Sequence, residues 1–270
     1  MLAERQHRLL QLDAPFARHD LLELRAADRN VALVAADLDL RACSDRAAFG
    51  IDAQRYRTRG TPPGVEVVRY VNRNLAQWEG YPLAGTLGRL LRDENARLFE
   101  RASSATDCMM LRGSVADPPD LDGLRDLVGS IAAMTDLGAV AVVDPQTLSM
   151  SEAGEWRARY FDKDVFVARD HVLILAKDDD QNAGRVHVHT RGLRKFARAD
   201  ISIRNVPKEM MALAGQLTER FAEFQALGGI VEDGREITLE GAPGAMRVHR
   251  AGALDDPQFN NVHLALRWPD

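Results

Sequence analysis

The clearest hydrophobic pattern lies past position 105. Residues 108–115 form an apolar run that predicts a strand. Apolar side chains spaced by three and four over residues 121–134 predict one face of a helix that ends at Gly138. The continuous apolar run 139–143 predicts a strand buried on both faces. Such a strand–helix–strand unit predicts two parallel strands in one sheet.

Residues 185–205 predict two more strands, joined by a connection that contains Gly192. On the first strand His187 and His189 are two positions apart, so both imidazoles are expected on one face and the valines between them on the other. The second strand alternates isoleucines with polar residues in the same way.

A long helix follows, with Pro207 in its first turn and a stop at Gly228-Gly229. Its predicted apolar face comprises Met210, Leu213, Leu217, Phe221 and Phe224. The turn 232–234 then leads to candidate strands at 236–240, 245–250 and 262–268. Earlier in this region, Ser149 and Glu152 predict a capping box that opens a helix carrying Trp156, and residues 171–176 predict a strand before the acidic turn 177–184.

The first hundred residues show weaker patterns. They predict a short helix at 2–11, a hairpin over 21–41 and a strand at 65–71. Leucines at helical spacing from Leu83 to Leu98 predict one amphipathic helix that ends near Ser103.

These elements together predict an α+β protein of two parts. Residues 1–105 form a smaller strand-and-helix unit, and residues 106–270 form a ferredoxin-like domain with a mixed sheet. The helices near 121–136 and 208–227 are expected on one face of that sheet. The boundary is placed at 103–107, where a helix ends and the regular pattern begins.

Composition narrows the functional classes. The 270 residues include 40 acidic and 35 basic side chains, a formal charge of -5, whereas nucleic-acid binders carry a basic excess. The N-terminal residues lack a continuous apolar segment, and no later run is long enough to span a membrane. The two cysteines, Cys43 and Cys108, are too few for a disulfide scaffold. We therefore expect a cytoplasmic protein that binds neither nucleic acid nor membrane.

The pair His187 and His189 is the sharpest chemical candidate. Two imidazoles on one strand face can bind zinc or another divalent metal if further ligands converge, and a metal-dependent hydrolase is the alternative function. Conceivable further ligands are His171, His249, His263, Asp144 and Asp200. The favoured interpretation is a polar, solvent-facing or hydrogen-bonded strand face without a cofactor. The acidic run 178–180 could hold a hard cation but is better explained as a solvated turn.

A local basic patch follows the histidines. Its candidate partner-binding residues are Arg191, Arg194, Lys195 and Arg198, with Trp156 as a possible interface anchor. Arginines could clamp a phosphate or carboxylate, pair with neighbouring acids, or contact a protein partner. The sequence contains no phosphate loop, nucleophile elbow, dinucleotide fingerprint or HExxH motif. No catalytic residue is therefore assigned, and an enzyme is the less favoured interpretation.

Several short motifs resemble the bacterial domain-of-unknown-function family 4261 over about residues 107–268. They are Asp144-Pro145 after a strand, a Trp-bearing helix, Thr190-Arg191-Gly192-Leu193 with Lys195-Phe196, and the turn Glu232-Asp233-Gly234. Ala197 stands where this pattern has glycine. The resemblance implies an α+β domain without an established activity, of a kind found near toxin and secretion genes. It implies, by association alone, an immunity or adaptor protein that binds a toxin or secreted effector.

Overall fold

The computed structural model describes residues 32–35, 52–53, 56–57, 65–71, 81–105, 107–113, 121–136, 138–163 and 166–269. The predicted helix at 2–11 lies outside the described residues, as does most of the predicted hairpin at 21–41. The structure divides into two compact units, and the chain passes from one to the other between Phe166 and Val167. Each unit contains one five-stranded sheet.

The first unit holds seven strands and four helices among its described residues. The strands are β1 (Ala32–Ala35), β2 (Asp52–Ala53), β3 (Tyr56–Arg57), β4 (Val65–Val71), β5 (Asp107–Gly113), β6 (Ala139–Asp144) and β7 (Ser149–Glu152). The helices are α1 (Gly85–Glu94), α2 (Ala96–Ser103), α3 (Asp122–Asp136) and α4 (Ala153–Tyr160).

The main sheet of this unit has the strand order β4-β5-β1-β6-β7. Because β5 and β6 both pair with β1 in antiparallel fashion, they run parallel to each other with β1 between them. The parallel strands predicted for this strand–helix–strand unit are therefore confirmed. A buried core that includes Leu91, Leu98, Cys108 and Val143 joins α1 and α2 to the sheet.

Two local predictions in this unit are wrong. The helix predicted over residues 83–103 is interrupted at Asn95, whose backbone ends α1 and whose side chain accepts a hydrogen bond from the Leu98 amide at 3.0 Å to cap α2. The capping box at Ser149 and Glu152 does not form, because these residues belong to β7 and Glu152 makes no side-chain cap.

The second unit is built on the mixed sheet β13-β14-β10-β9-β8. Its strands are β8 (Leu173–Asp178), β9 (Arg185–Arg191), β10 (Asp200–Pro207), β11 (Glu236–Ile237), β12 (Met246–Arg247), β13 (His249–Ala251) and β14 (His263–Arg267). Helix α5 (Met211–Ala226) packs on β8, β9 and β10. Among the described strands of this sheet, only β10 and β14 pair in parallel. Pro207 closes β10 instead of opening the helix.

The α+β class with a mixed sheet is confirmed. The arrangement of the helices differs from the expectation, because α3 contacts β6 and β1 whereas α5 contacts the sheet of the other unit. The division of the chain also differs. Strand β5 pairs with β1 and β4, so residues on both sides of 103–107 share one sheet, and the contacts place the boundary at 166/167.

Candidate functional site

Strand β9 places two imidazoles side by side on the sheet face opposite α5. The ring centroids of His187 and His189 lie 4.7 Å apart, with 25° between the ring planes. On the other face of β9, Val186 and Val188 are buried in the core beneath α5. The predicted sharing of one strand face by the two histidines is therefore confirmed.

Phe259 covers this face of the sheet. Its ring centroid lies 5.4 Å from that of His189, and it stacks on His263 of β14 at 4.0 Å. His187 is fully buried and His189 is 4% exposed. We call the group of His187, His189, His263, Ser202 and Phe259 the histidine face. A solvent-facing strand face, one of the sequence interpretations, is therefore wrong for these two imidazoles.

The hydrogen bonding of the histidine face is incomplete. Ser202 Oγ lies 2.8 Å from His187 Nε2, within hydrogen-bonding distance. In the described part of the chain, the buried Nδ1 atoms of His187, His189 and His263 have no hydrogen-bond partner. A Ser–His pair that acts as nucleophile and base needs a third group to orient the imidazole through its other nitrogen. His187 lacks that group among the described residues, so the pair is not an assembled triad there.

The imidazoles of the histidine face are held in their neutral form. Burial, followed by the charges of Arg204 and Lys177, lowers the pKa of His187 from 6.5 to about 4. Burial and the neighbouring His187 lower the pKa of His189 to about 3. Burial also lowers the pKa of His263. Neutral imidazole is the form that binds a metal, and it cannot act as a general acid near neutral pH.

A complete metal site is not formed within the described ranges. There, no three His, Cys, Asp or Glu side chains are grouped so that they could hold an ion. Of the conceivable further ligands, Asp144 caps its own turn by accepting from the Gln146 amide at 2.9 Å, and Asp200 accepts from Thr190 at 2.7 Å. Metal binding by His187 and His189, and the hydrolase alternative, stay predictions.

The predicted basic patch is partly internal. Arg191 and Arg194 are 8% and 1% exposed, and both donate to backbone carbonyls of residues 252–262, a segment that we call the strap. Arg191 donates to the Gln258 carbonyl, and Arg194 donates to that of Asn260 at 2.7 Å. These two arginines fasten the strap over the sheet. Partner binding by Arg191 and Arg194 stays a prediction.

The other predicted partner-binding residues also make internal contacts. Lys195 donates to the His171 carbonyl at 3.3 Å, and Arg198 donates to the Ala197 carbonyl at 3.1 Å. Trp156 is buried on α4, 5.3 Å from the ring of Tyr160, so it belongs to the core of the first unit. Partner binding by Lys195 and Arg198 stays a prediction.

The acidic turn is not simply solvated. Asp179 has a fully buried side chain and receives hydrogen bonds from Arg204 and from the Asn205 amide. Burial alone would raise the pKa of Asp179. The hydrogen bonds that its carboxylate accepts, of which the one from the Asn205 amide is the strongest, outweigh this effect and lower the pKa. Asp179 therefore ties the β8–β9 hairpin turn to β10.

Two features of the second unit were not predicted from the sequence. One is the buried carboxylate of Asp200, which accepts from Asn261 of the strap at 2.8 Å and whose pKa burial raises to about 6. The other is an apolar cluster at the end of α5, formed by Phe224, Leu227 and Ile230 and exposed by 51%, 64% and 72%. In the sequence, Phe224 is the residue that could have indicated this cluster. The helical periodicity assigned Phe224 to the buried face, so the cluster was missed.

Comparison of the chain with protein-family models, with curated proteins and with solved structures found no match. The resemblance to family 4261 therefore stays a prediction. Within the part of the chain that the structure describes, no helix combines the length and apolar character needed to cross a membrane.

Proposed function

We propose that the chain is a non-enzymatic protein-binding protein whose contact surface is centred on the apolar cluster. Phe224, Leu227 and Ile230 are each at least half exposed, although apolar groups are stabilised by leaving water. They fall within seven consecutive residues at one helix end. Clustered exposed apolar side chains, and aromatic ones above all, are typical of protein interfaces. This cluster is the observation that supports the proposal.

The apolar cluster is built on a rigid helix ending. The Gly229 amide donates to the Phe224 carbonyl at 2.9 Å and the Gly228 amide donates to that of Gln225 at 3.0 Å, which together form a Schellman motif. Gly228 has a φ of 104°, in the region that favours glycine. The Phe224 ring lies against Gly229, where an added Cβ would come within 2.4 Å of it. A fixed surface loses little conformational entropy on binding.

The charges around the apolar cluster favour a different protein over a second copy of this chain. From residue 223 to residue 233 the charged side chains are Glu223, Glu232 and Asp233, all exposed and all acidic, while exposed Arg220 and Arg235 lie just outside. A twofold dimer would bring the same acidic residues of two copies together, at an electrostatic cost. A partner with basic residues around an apolar pocket fits this surface better.

The most specific form of the proposal is an immunity or adaptor protein that binds a toxin or secreted effector in the bacterial cytoplasm. The family resemblance described above supports this form by association. The chain's own charge of -5 agrees with a basic partner.

The test is co-purification of the full chain with the product of the adjacent gene, followed by measurement of the dissociation constant. We expect a stable complex that Phe224→Asp weakens by at least about 100-fold, because Asp would place a charge in an apolar interface. Leu90→Asp is the matched control, since Leu90 is 46% exposed on α1 of the other unit and should leave affinity unchanged. Equal losses in both variants, failure to form any complex, or a dimer of the chain that Phe224→Asp dissociates would each overturn the proposal.

A further inference from the structure

The histidine face leaves buried nitrogen atoms without partners, a feature that the proposed protein-binding function does not explain. Among the described residues, the Nδ1 atoms of His187, His189 and His263 and the Nε2 atom of Gln258 in the strap have no hydrogen-bond partner. Buried polar groups are normally satisfied. The side chains of His187 and His189 are themselves almost fully buried. This side of the sheet therefore has unused hydrogen-bonding capacity that points to a ligand.

The unpartnered nitrogens can act as donors. Ser202 Oγ lies 2.8 Å from His187 Nε2, and a serine hydroxyl can rotate so that it donates to that nitrogen. The imidazole proton of His187 is then on Nδ1, where the described residues offer no acceptor. The side-chain nitrogen of Gln258 is a donor only. Donors without acceptors match a ligand that presents mainly acceptor oxygens.

Three cations from three strands project onto the same face of the sheet as the imidazoles. Lys177 of β8 lies directly opposite His187, and residues opposite each other share a face. Arg191 is two positions beyond His189 on β9, so strand alternation places it on that face. Arg204 is likewise two positions beyond the serine of the histidine face on β10.

The charges of these cations dominate at the two imidazoles. Burial and the neighbouring His187 ring lower the pKa of His189 most. The next contributions to that lowering come from Lys177, Arg191 and Arg204. At His187, Arg204 and Lys177 each have a larger effect than either neighbouring carboxylate. These surroundings favour an anion over a cation.

The carboxylates on this side of the unit are occupied by protein donors. Asp179 and Asp180 both pair with Arg204. Asp200 accepts three hydrogen bonds from protein groups. Asp256 accepts from two backbone amides of the strap. They therefore do not serve as acceptors for the unpartnered nitrogens.

We propose that the histidine face and its three cations bind one oxyanion of the phosphate class, as inorganic phosphate or as the phosphate group of a small monoester. Lys177 is exposed and makes no ion pair within the described ranges, so its ammonium group is available to the ion. Arg204 contacts Asp179 and Asp180 through Nη1, and its Nε and Nη2 make no hydrogen bond to other described residues. Guanidinium and ammonium groups are both regular ligands of phosphate.

Phe259 limits access to the imidazoles. Its ring centroid lies 5.4 Å from that of His189, and it stacks on His263 at 4.0 Å. The ion must displace this ring to reach the unpartnered nitrogens. Because Phe259→Ala removes the ring and makes room beside the imidazoles, this variant should bind the ion more tightly than the natural chain does.

The test is isothermal titration of the full chain with sodium phosphate at neutral pH, at an ionic strength held constant with sodium chloride. We expect one ion per chain and at least about tenfold weaker binding in Lys177→Met, because a hydrogen bond to a charged group is lost. Phe259→Ala should bind at least about tenfold tighter, since no ring has to be displaced. Lys208→Met is the matched control, because it removes the same charge from an exposed lysine that pairs with Asp178. Its affinity should be unchanged.

A parallel titration with glycerol phosphate distinguishes the two sources of the ion. Tighter binding than that of inorganic phosphate assigns the site to a monoester, and weaker binding assigns it to the free ion. Phe224→Asp, which tests the apolar cluster, should leave ion binding unchanged, so the two proposals fail separately.

Circular dichroism shows whether each variant is folded. Absence of binding of either phosphate compound by both the natural chain and Phe259→Ala would overturn the proposal. So would equal losses in Lys177→Met and Lys208→Met, which would show a general effect of charge in place of a site.

Discussion

Arg204 donates a hydrogen bond to the fully buried carboxylate of Asp179 across 2.7 Å. The Asn205 amide donates to the second carboxylate oxygen at 2.8 Å. Both donors lie where the pairing of β10 with β9 shifts register between Ile203 and Val206. The irregularity turns two consecutive donors toward one carboxylate and so locks the β8–β9 turn to the centre of the sheet.

Replacing Asp179 by Asn should destabilise the second unit strongly. The amide supplies one acceptor oxygen in place of two and leaves Arg204 without its buried counter-charge, so we expect a loss of about 3 kcal/mol in the free energy of unfolding. Asp178→Asn is the matched control, because its 2.9 Å pair with Lys208 is largely exposed and should contribute less than about 1 kcal/mol. Urea unfolding measures both. Similar losses in the two variants would contradict the role given to Asp179.

The sequence predicts elements better than it predicts their partners. The apolar run 139–143 and the alternation over 185–191 each became a strand, because short β-branched and alternating segments favour that conformation. Which sheet a helix covers depends on contacts between distant residues, and no local pattern encodes them. Thus α3 and α5 were expected on one sheet and pack on two. The break at Asn95 was missed because its neighbours keep helical periodicity across it.

Ala197 occupies a backbone conformation that favours glycine. Its φ of 49° and ψ of 35° lie in the left-handed region, at the position where the family pattern has glycine. Ala197→Gly should therefore stabilise the protein by about 1 kcal/mol. The same substitution at exposed Ala212 in α5 should destabilise it by about 1 kcal/mol, because glycine disfavours helix. The midpoint temperature of thermal unfolding should rise in Ala197→Gly and fall in Ala212→Gly. A shift in the same direction for both variants would contradict the backbone strain assigned to Ala197.

Arg194 is predicted to hold the strap. Its guanidinium donates to the carbonyls of Leu254 and Asn260 at 2.9 and 2.7 Å, so Arg194→Met would leave both carbonyls without this donor. We expect faster proteolytic cleavage within residues 252–262, by about tenfold or more, because local opening precedes cleavage. Arg247→Met is the control, since Arg247 pairs with Glu236 on the exposed β11–β12 ribbon. Cleavage at an unchanged rate in Arg194→Met would mean that other contacts hold the strap.

The candidate site was predictable only in part. The spacing of His187 and His189 fixes their common face, and the structure bears this out. Their burial depends on Phe259, which is seventy positions away in a polar segment with no periodic pattern. The burial of Arg194 was missed for a related reason. Arginines close together in sequence suggest a surface, whereas Arg194 turns inward because the strap supplies carbonyl acceptors.

Stability of the second unit should fall as the pH drops below the ordinary histidine range. The folded pKa values of His187 and His189 are about 4 and about 3, against 6.5 for an unperturbed imidazole. Protons then bind the unfolded chain first, so the stabilisation is complete above pH 6.5 and is lost progressively toward pH 4, by about 3 kcal/mol for His187.

Asp200 acts in the opposite direction, because burial raises its pKa from 3.8 to about 6 and proton uptake there favours the folded chain as the pH falls. Two histidines outweigh this one carboxyl, so urea unfolding should show lower stability near pH 5 than near pH 7. Proton NMR of the imidazoles tests the cause directly, since neither ring should titrate between those two values in the folded protein. Ring titrations of His187 and His189 centred near pH 6.5 would show that the strap does not bury them.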